Sequence, residues 1–286
     1  MDNVFKKIVI LTICSVIFVV GISIFFFKGE MSSAKDIADI DNLTGQRIGT
    51  ISAYEGDYVL SDRDDLTLLR FDSESDCLLA LYYKQVDALA FSRETADYIL
   101  SVTTGLKIDE RPIATTGLVS IFAKDSDYLH KYNKFIEEYR KTEEYKQYCE
   151  KVDTGGFYDG SPIIEETGTG EVIDVGYVAE YLPVSFYDTI LHRPNGVEIE
   201  MIIKFANYYN YKINWMAVTE TTCFPLLQGG DIDITCASYT DVYRPEFEIS
   251  EYYDLSSIYK DTDIALLEVE DYDDFSFLGL IESKGE

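Results

Sequence analysis

A change of hydrophobic period between residues 171 and 253 constrains the fold of this chain more than any other feature. Ile173, Val175 and Tyr177 alternate with Asp174 and Gly176, the period of two that suits a strand entering a core. From Gly196 the period is helical, with Val197, Met201, Ile202, Phe205 and Ala206 at helical spacing until Asn207 to Asn210 weakens the pattern. The intervening Val178 to Asn195 reads as a loop. Ile213, Trp215 and Ala217 alternate again, Thr221 to Gln228 reads as a short helix closed by Gly229-Gly230, and Ile232 to Cys236 reads as a third strand. This βαβαβ order predicts a parallel sheet with its binding crevice at the carboxyl ends of the strands.

A second unit of the same kind precedes it. Arg47 to Ile51, Leu66 to Phe71 and Val86 to Phe91 read as strands, Tyr54 to Leu60 as a helix, and Ser73 can cap another helix carrying Leu78, Leu79, Leu81 and Tyr82. Leu106 to Ala123 reads as a return strand, and Asp125 to Val152 as helical, with Leu129, Tyr132, Ile136 and Tyr139 on one face. The expected domains are a membrane anchor or signal segment over 1–30, one lobe over 42–110, the return strand and helices over 111–153, a Gly-rich linker over 154–170, the other lobe over 171–262 and a tail over 263–286.

With 286 residues, 47% of them hydrophobic, the chain has material for two cores. Its formal net charge of −28 makes a surface that repels phosphate backbones and anionic lipid, so nucleic acid is not an expected partner. Ile8 to Phe27 carry no charge and follow Lys6-Lys7, a run long enough to span a bilayer. The expectation is an uncleaved single-pass anchor with the lobes extracellular or periplasmic; a cleavable signal peptide is the alternative. Beyond Cys14, the cysteines are Cys77, Cys149, Cys223 and Cys236, an even number that permits disulfides. The apolar neighbours of Cys77, Cys223 and Cys236 favour buried thiols. His130 and His192 lie well apart, which supports neither a histidine metal site nor a His-based triad, and no cofactor is expected.

The segment Gly176-Tyr177-Val178-Ala179-Glu180-Tyr181-Leu182-Pro183-Val184-Ser185-Phe186-Tyr187-Asp188 is similar to the opening of family 3 extracellular solute-binding proteins, the amino-acid-type receptors of ABC importers. Further blocks follow in that family's order: Gly196 to Glu200, Pro225 to Asp233, then Ser238-Tyr239-Thr240 with Arg244 and the ending Ile249 to Tyr253. They cover the first lobe of such a receptor. Leu43 to Gly49 and Ala80 to Ala88 resemble parts of its second lobe, and Asp125 to Val152 its C-terminal helices.

Lobe two therefore precedes lobe one. Taken together the halves resemble one receptor in circularly permuted order; the alternative, two incomplete receptors in tandem, would leave a large apolar face exposed on each. The ending Phe275 to Ser283 resembles the lead-in to the permease of receptor–permease fusions.

The resemblance implies a periplasmic-binding-protein-like α/β fold of two parallel-sheet lobes with an interlobe cleft, preceded by one transmembrane helix. It implies a small polar, amino-acid-like solute held by closure of the lobes, an ABC permease as partner, and no catalysis. The implied ligand-binding residues are Tyr181, Ser238, Thr240, Arg244, Tyr54 and Ser92. Arg244 would take the ligand carboxylate, although the family's register falls one residue earlier, on Tyr243. Ser238 and Thr240 match hydroxyl positions, and Tyr181 an aromatic that covers the ligand. Ala53-Tyr54 stands where the family has a Gly-Thr pair, and Ser92 where it has the Asp that pairs with the ligand ammonium. Plainer readings are a surface Arg244, turn chemistry for Ser238 and Thr240, and a core Tyr181. Because Ser92 supplies no charge, α-amino acids are expected to bind weakly unless a neighbour such as Glu94 swings in. The expected function is a membrane-anchored solute-binding module of an amino-acid-type ABC transporter; the alternative is a sensory or degenerate ligand-binding ectodomain without a transport role.

Overall fold

A computed structural model of the chain describes residues 43–109, 111–157, 164–240, 253–273 and 275. The first unit runs β1 (Arg47–Ile51), α1 (Glu55–Leu60), β2 (Thr67–Phe71), α2 (Glu74–Tyr82), β3 (Ala88–Ser92), α3 (Arg93–Val102) and β4 (Leu106–Ile108). Next come β5 (Ala114–Ala123), α4 (Asp127–Tyr139) and α5 (Glu143–Asp153). The second unit runs β6 (Val172–Val178), β7 (Glu180–Tyr181), β8 (Ser185–Asp188), β9 (Arg193–Asn195), α6 (Val197–Tyr209), β10 (Lys212–Val218), α7 (Glu220–Gly229), β11 (Ile234–Thr240), β12 (Tyr253–Leu255) and β13 (Lys260–Val269).

Local chemistry explains the helix ends. Ser73 caps α2 by accepting from the Asp76 amide at 3.1 Å. Gly230, at a φ of 75°, closes α7 in the left-handed conformation that glycine adopts without strain.

The strands form one sheet in the order β10-β6-β11-β5-β13-β3-β1-β2, with β12 added on β5 and β4 on β13. Each lobe is parallel at its centre: β1 pairs with β2 and β3, and β6 with β10 and β11. Two antiparallel strands join the lobes. β5 pairs with β11 in lobe one and, from Ala114 to Leu118, with Ile264 to Lys260 of β13. β13 then continues into lobe two, where Ile264 to Leu267 pair with Ser92 to Leu89.

Several elements differ from the sequence reading. Residues 263–269, read as tail, belong to β13; Asp261 and Asp263 interrupt its apolar pattern, although Ile264 to Leu267 are fully buried. The return strand is two strands, parted at Arg111-Pro112. The expected loop 178–195 contains the antiparallel sheet β7-β8-β9. Helix α3, which sequence did not single out, follows β3 directly.

Helices α4 and α5 pack on α6. Tyr132, fully buried, lies 5.2 Å from the Phe122 ring and 5.1 Å from that of Phe205. The Tyr148 hydroxyl donates to the Val197 carbonyl at 3.1 Å, and Lys151 pairs with Glu200 at 2.6 Å. At the lobe junction, buried Lys260 pairs with Glu94 at 3.2 Å and Asp153 at 3.1 Å. Cys77, Cys149, Cys223 and Cys236 are thiols rather than disulfides.

The transmembrane part of the expected fold class is corrected. Among the described residues no helix is long and apolar enough to cross a membrane. The segment Ile8 to Phe27, on which that expectation rested, lies outside the described residues. The single-pass location, the membrane as a partner and the signal segment therefore have no support among the described residues. What stands is an α/β architecture in which two parallel units share one sheet.

Truncating the central aromatic removes contacts from three elements at once. Tyr132→Ala is expected to lower unfolding free energy by about 3–5 kcal/mol, read by denaturant titration. A loss below about 1 kcal/mol would show that the α4–α6 packing does not carry the lobe.

Candidate functional site

The carboxyl ends of β1, β3 and β6 converge where the two lobes touch. Chain leaving β1 turns at Ala53, whose φ is 63°, and its amide donates to Asp57 Oδ2 at 3.0 Å. The Tyr54 amide donates back to the Ile51 carbonyl at 3.3 Å. At Gly56 a Cβ would come within 2.5 Å of the Ala90 carbonyl oxygen, so only glycine lets α1 lie this close to β3. That approach carries Glu55 into the interior, where it is 1% exposed.

One oxygen of Glu55 ties three segments together. Oε1 accepts from the Ser92 amide at 2.8 Å, at the end of β3, and from the Tyr181 hydroxyl at 2.9 Å, in the other lobe. Tyr181 is itself 2% exposed, and its ring lies 4.4 Å from that of Tyr54 at an angle of 46°. Ser92 Oγ donates to Thr95 Oγ1 at 3.1 Å, and the Thr95 hydroxyl reaches the Leu182 carbonyl at 3.5 Å. Lobe two thus supplies Tyr54, Glu55, Ser92 and Thr95; lobe one supplies Tyr181 and Leu182.

The second oxygen, Oε2, is buried without a hydrogen-bond partner. Burial raises the Glu55 pKa, outweighing the backbone amides and the Tyr181 hydroxyl that favour the ionised form. Burial, and then the charge of Glu55, also holds the Tyr181 phenol well above its ordinary value.

Of the sequence-predicted residues, Tyr54, Tyr181 and Ser92 come together. Ser238 and Thr240 lie on β11, where Thr240 is in register with Leu118 of β5. Arg244 lies outside the described residues. Glu94 does not turn toward Ser92; it bonds Lys260 and Thr262 at the lobe junction. Sequence reasoning missed Glu55 and Thr95. An acid in the first turn of a helix reads as ordinary dipole complementation, so only its position directly after the altered Ala53-Tyr54 pair marked it.

Two cavities lie elsewhere. One of about 480 Å³ is lined by Phe135, Tyr139, Lys204 and Tyr208 on α4 and α6; one of about 430 Å³ is lined by Arg70, Leu79 and Tyr83 on lobe two. Among the described residues no cluster of three His, Cys, Asp or Glu side chains could hold a metal ion.

An acid whose pKa is raised on folding holds its proton more tightly folded than unfolded. Its contribution is therefore most favourable below the ordinary glutamate range and declines as pH rises through the raised value. Glu55→Gln removes that titration. The melting-temperature difference between variant and wild type is expected to move in the variant's favour across this window; a pH-independent difference would show that Glu55 is not buried as described.

The model of bacterial extracellular solute-binding proteins, family 3, matches residues 173–271. No curated protein matches the chain. Among solved structures, a zinc-bound ligand-binding component of an ABC-type import system from Staphylococcus aureus is similar at 10% identity and a TM-score of 0.44, over 79% of this chain and 66% of that one. A mutant VFT2 domain of BvgS from Bordetella pertussis is similar at 11% identity and a TM-score of 0.42, over 84% and 85%. An arginine-bound ArgBP mutant from T. maritima is similar at 12% and 0.37, over 87% and 100%. The expectation of a membrane-anchored transport receptor is corrected: among the described residues no helix is long and apolar enough to cross a membrane. The family match covers about a third of the chain.

Proposed function

We propose that the chain is a ligand-responsive module of the periplasmic-binding-protein kind, in which opening and closing of the lobes informs a partner and no transport role is served. The contact of Glu55 with Tyr181 and Ser92 carries this reading. It links the lobes directly and places a carboxylate of the chain itself beside the position where the family holds a ligand ammonium. The β5–β13 junction supports a hinge, because both strands pass from one lobe to the other. We also read the lobes as circularly permuted: the family match begins at residue 173, and the residues before it supply the complementary parallel unit.

An α-amino acid fits poorly. The Ala53 amide is engaged by Asp57, Ser92 lacks a charge, and Glu55 opposes a ligand carboxylate. Its carboxylate gains no anchor there.

Small-angle scattering of wild type and Tyr181→Phe tests the hinge. Phenylalanine keeps the ring against Tyr54 and removes the bond to Glu55, so the variant is expected to show a larger radius of gyration. Identical scattering would remove the latch. In calorimetric titration none of the twenty amino acids should bind below micromolar; submicromolar binding of any one would overturn the reading.

A further inference from the structure

Resting on that reading, we infer that the lobes close on a small organic ammonium ion bearing no carboxylate, held by the second oxygen of Glu55 against the rings of Tyr54 and Tyr181. The argument starts from what the closed contact leaves unsatisfied. Glu55 Oε1 has two donors, both neutral, whereas Oε2 is buried with none. A carboxylate taken out of water needs a charged donor for that oxygen, because neutral donors leave its charge uncompensated. An ammonium N–H supplies both the hydrogen bond and the charge.

The surroundings favour the same chemistry. The charge of Glu74 bears on the Tyr181 hydroxyl in addition to that of Glu55, so the field around the phenol is negative. Tyr54 and Tyr181 place two aromatic rings beside the carboxylate, and a cation gains from an aromatic face in a desolvated site. A ligand carboxylate meets repulsion from the same groups. Selectivity thus follows from one charge: an amine gains what an amino acid of equal size loses.

The contact also makes closure depend on the ligand. The open module exposes Glu55 to water, and the closed one buries it, so a cation that neutralises it binds the closed form more tightly than the open one. The overall charge of −28 attracts cations toward the cleft before they dock.

Ethanolamine and glycine separate the possibilities, since they are of similar size and differ by a carboxylate; choline adds a methylated cation. Calorimetric titration of the wild-type chain is expected to show heat of binding with ethanolamine or choline and none with glycine. Glu55→Gln, which keeps shape and a hydrogen-bond acceptor, is expected to weaken cation binding by about ten- to a hundredfold, the loss of one charge-assisted bond. No binding of either cation to wild type, equal binding to Glu55→Gln, or tighter binding of glycine would each overturn the inference. If Glu55→Gln fails to fold, the ethanolamine and glycine arms on wild type decide alone. Scattering of the unliganded Tyr181→Phe variant reports on the hinge separately, so failure of the ligand class is distinguishable from failure of the closing module.

Discussion

The ladder shared by β5 and β13 sets the geometry on which everything else depends. Each strand belongs to both lobes, so the hydrogen bonds between Ala114–Leu118 and Lys260–Ile264 turn two parallel sheets into one continuous sheet. Lys260 and Thr262 of that ladder bond Glu94 at the start of α3, which ties the crossing to lobe two. The hinge motion proposed above would bend this ladder, and the faces it would bring together are those at the carboxyl ends of β1, β3 and β6. These ends carry Glu55, Ser92 and Tyr181. The carboxyl ends of the parallel strands and the contact between the two units are therefore the same place.

Energy at that place is finely divided. A buried carboxylate is costly, and two hydrogen bonds, worth about 1.5–3 kcal/mol each when one partner is charged, offset part of the cost. The Tyr54–Tyr181 contact adds about 0.5–1.5 kcal/mol beyond the area it buries. These terms are small compared with the aromatic core around Tyr132, Phe122 and Phe205, which holds the α4–α6 layer together.

Much of this was legible in the residues. The alternation of Ile173, Val175 and Tyr177 corresponds to β6, where the intervening Asp174 is only partly buried, and the helical spacing from Val197 to Ala206 corresponds to α6, although almost all of that stretch is buried. Elements broken by charge, or too short to show a period, were less visible. β13 carries Asp261 and Asp263 at the edge of its apolar stretch, and the short strands β7, β8 and β9 are too brief for a period to emerge. At the site, Tyr54, Tyr181 and Ser92 were found by their order along the chain. Glu55 was not, since its burial arises from the close approach of α1 to β3 at Gly56, a tertiary effect that local pattern does not encode. Glu94, a plausible substitute charge by sequence proximity to Ser92, points instead to Lys260.

The central claim is that the Glu55 carboxylate is enclosed between the lobes, and its own titration tests this most directly. Carbon-13 NMR of the glutamate side-chain carboxyls, with the Glu55 signal identified by its loss in Glu55→Gln, follows that group alone. A midpoint clearly above the ordinary glutamate value of about 4.3 is the predicted result. A midpoint at the value of an exposed glutamate would contradict the account.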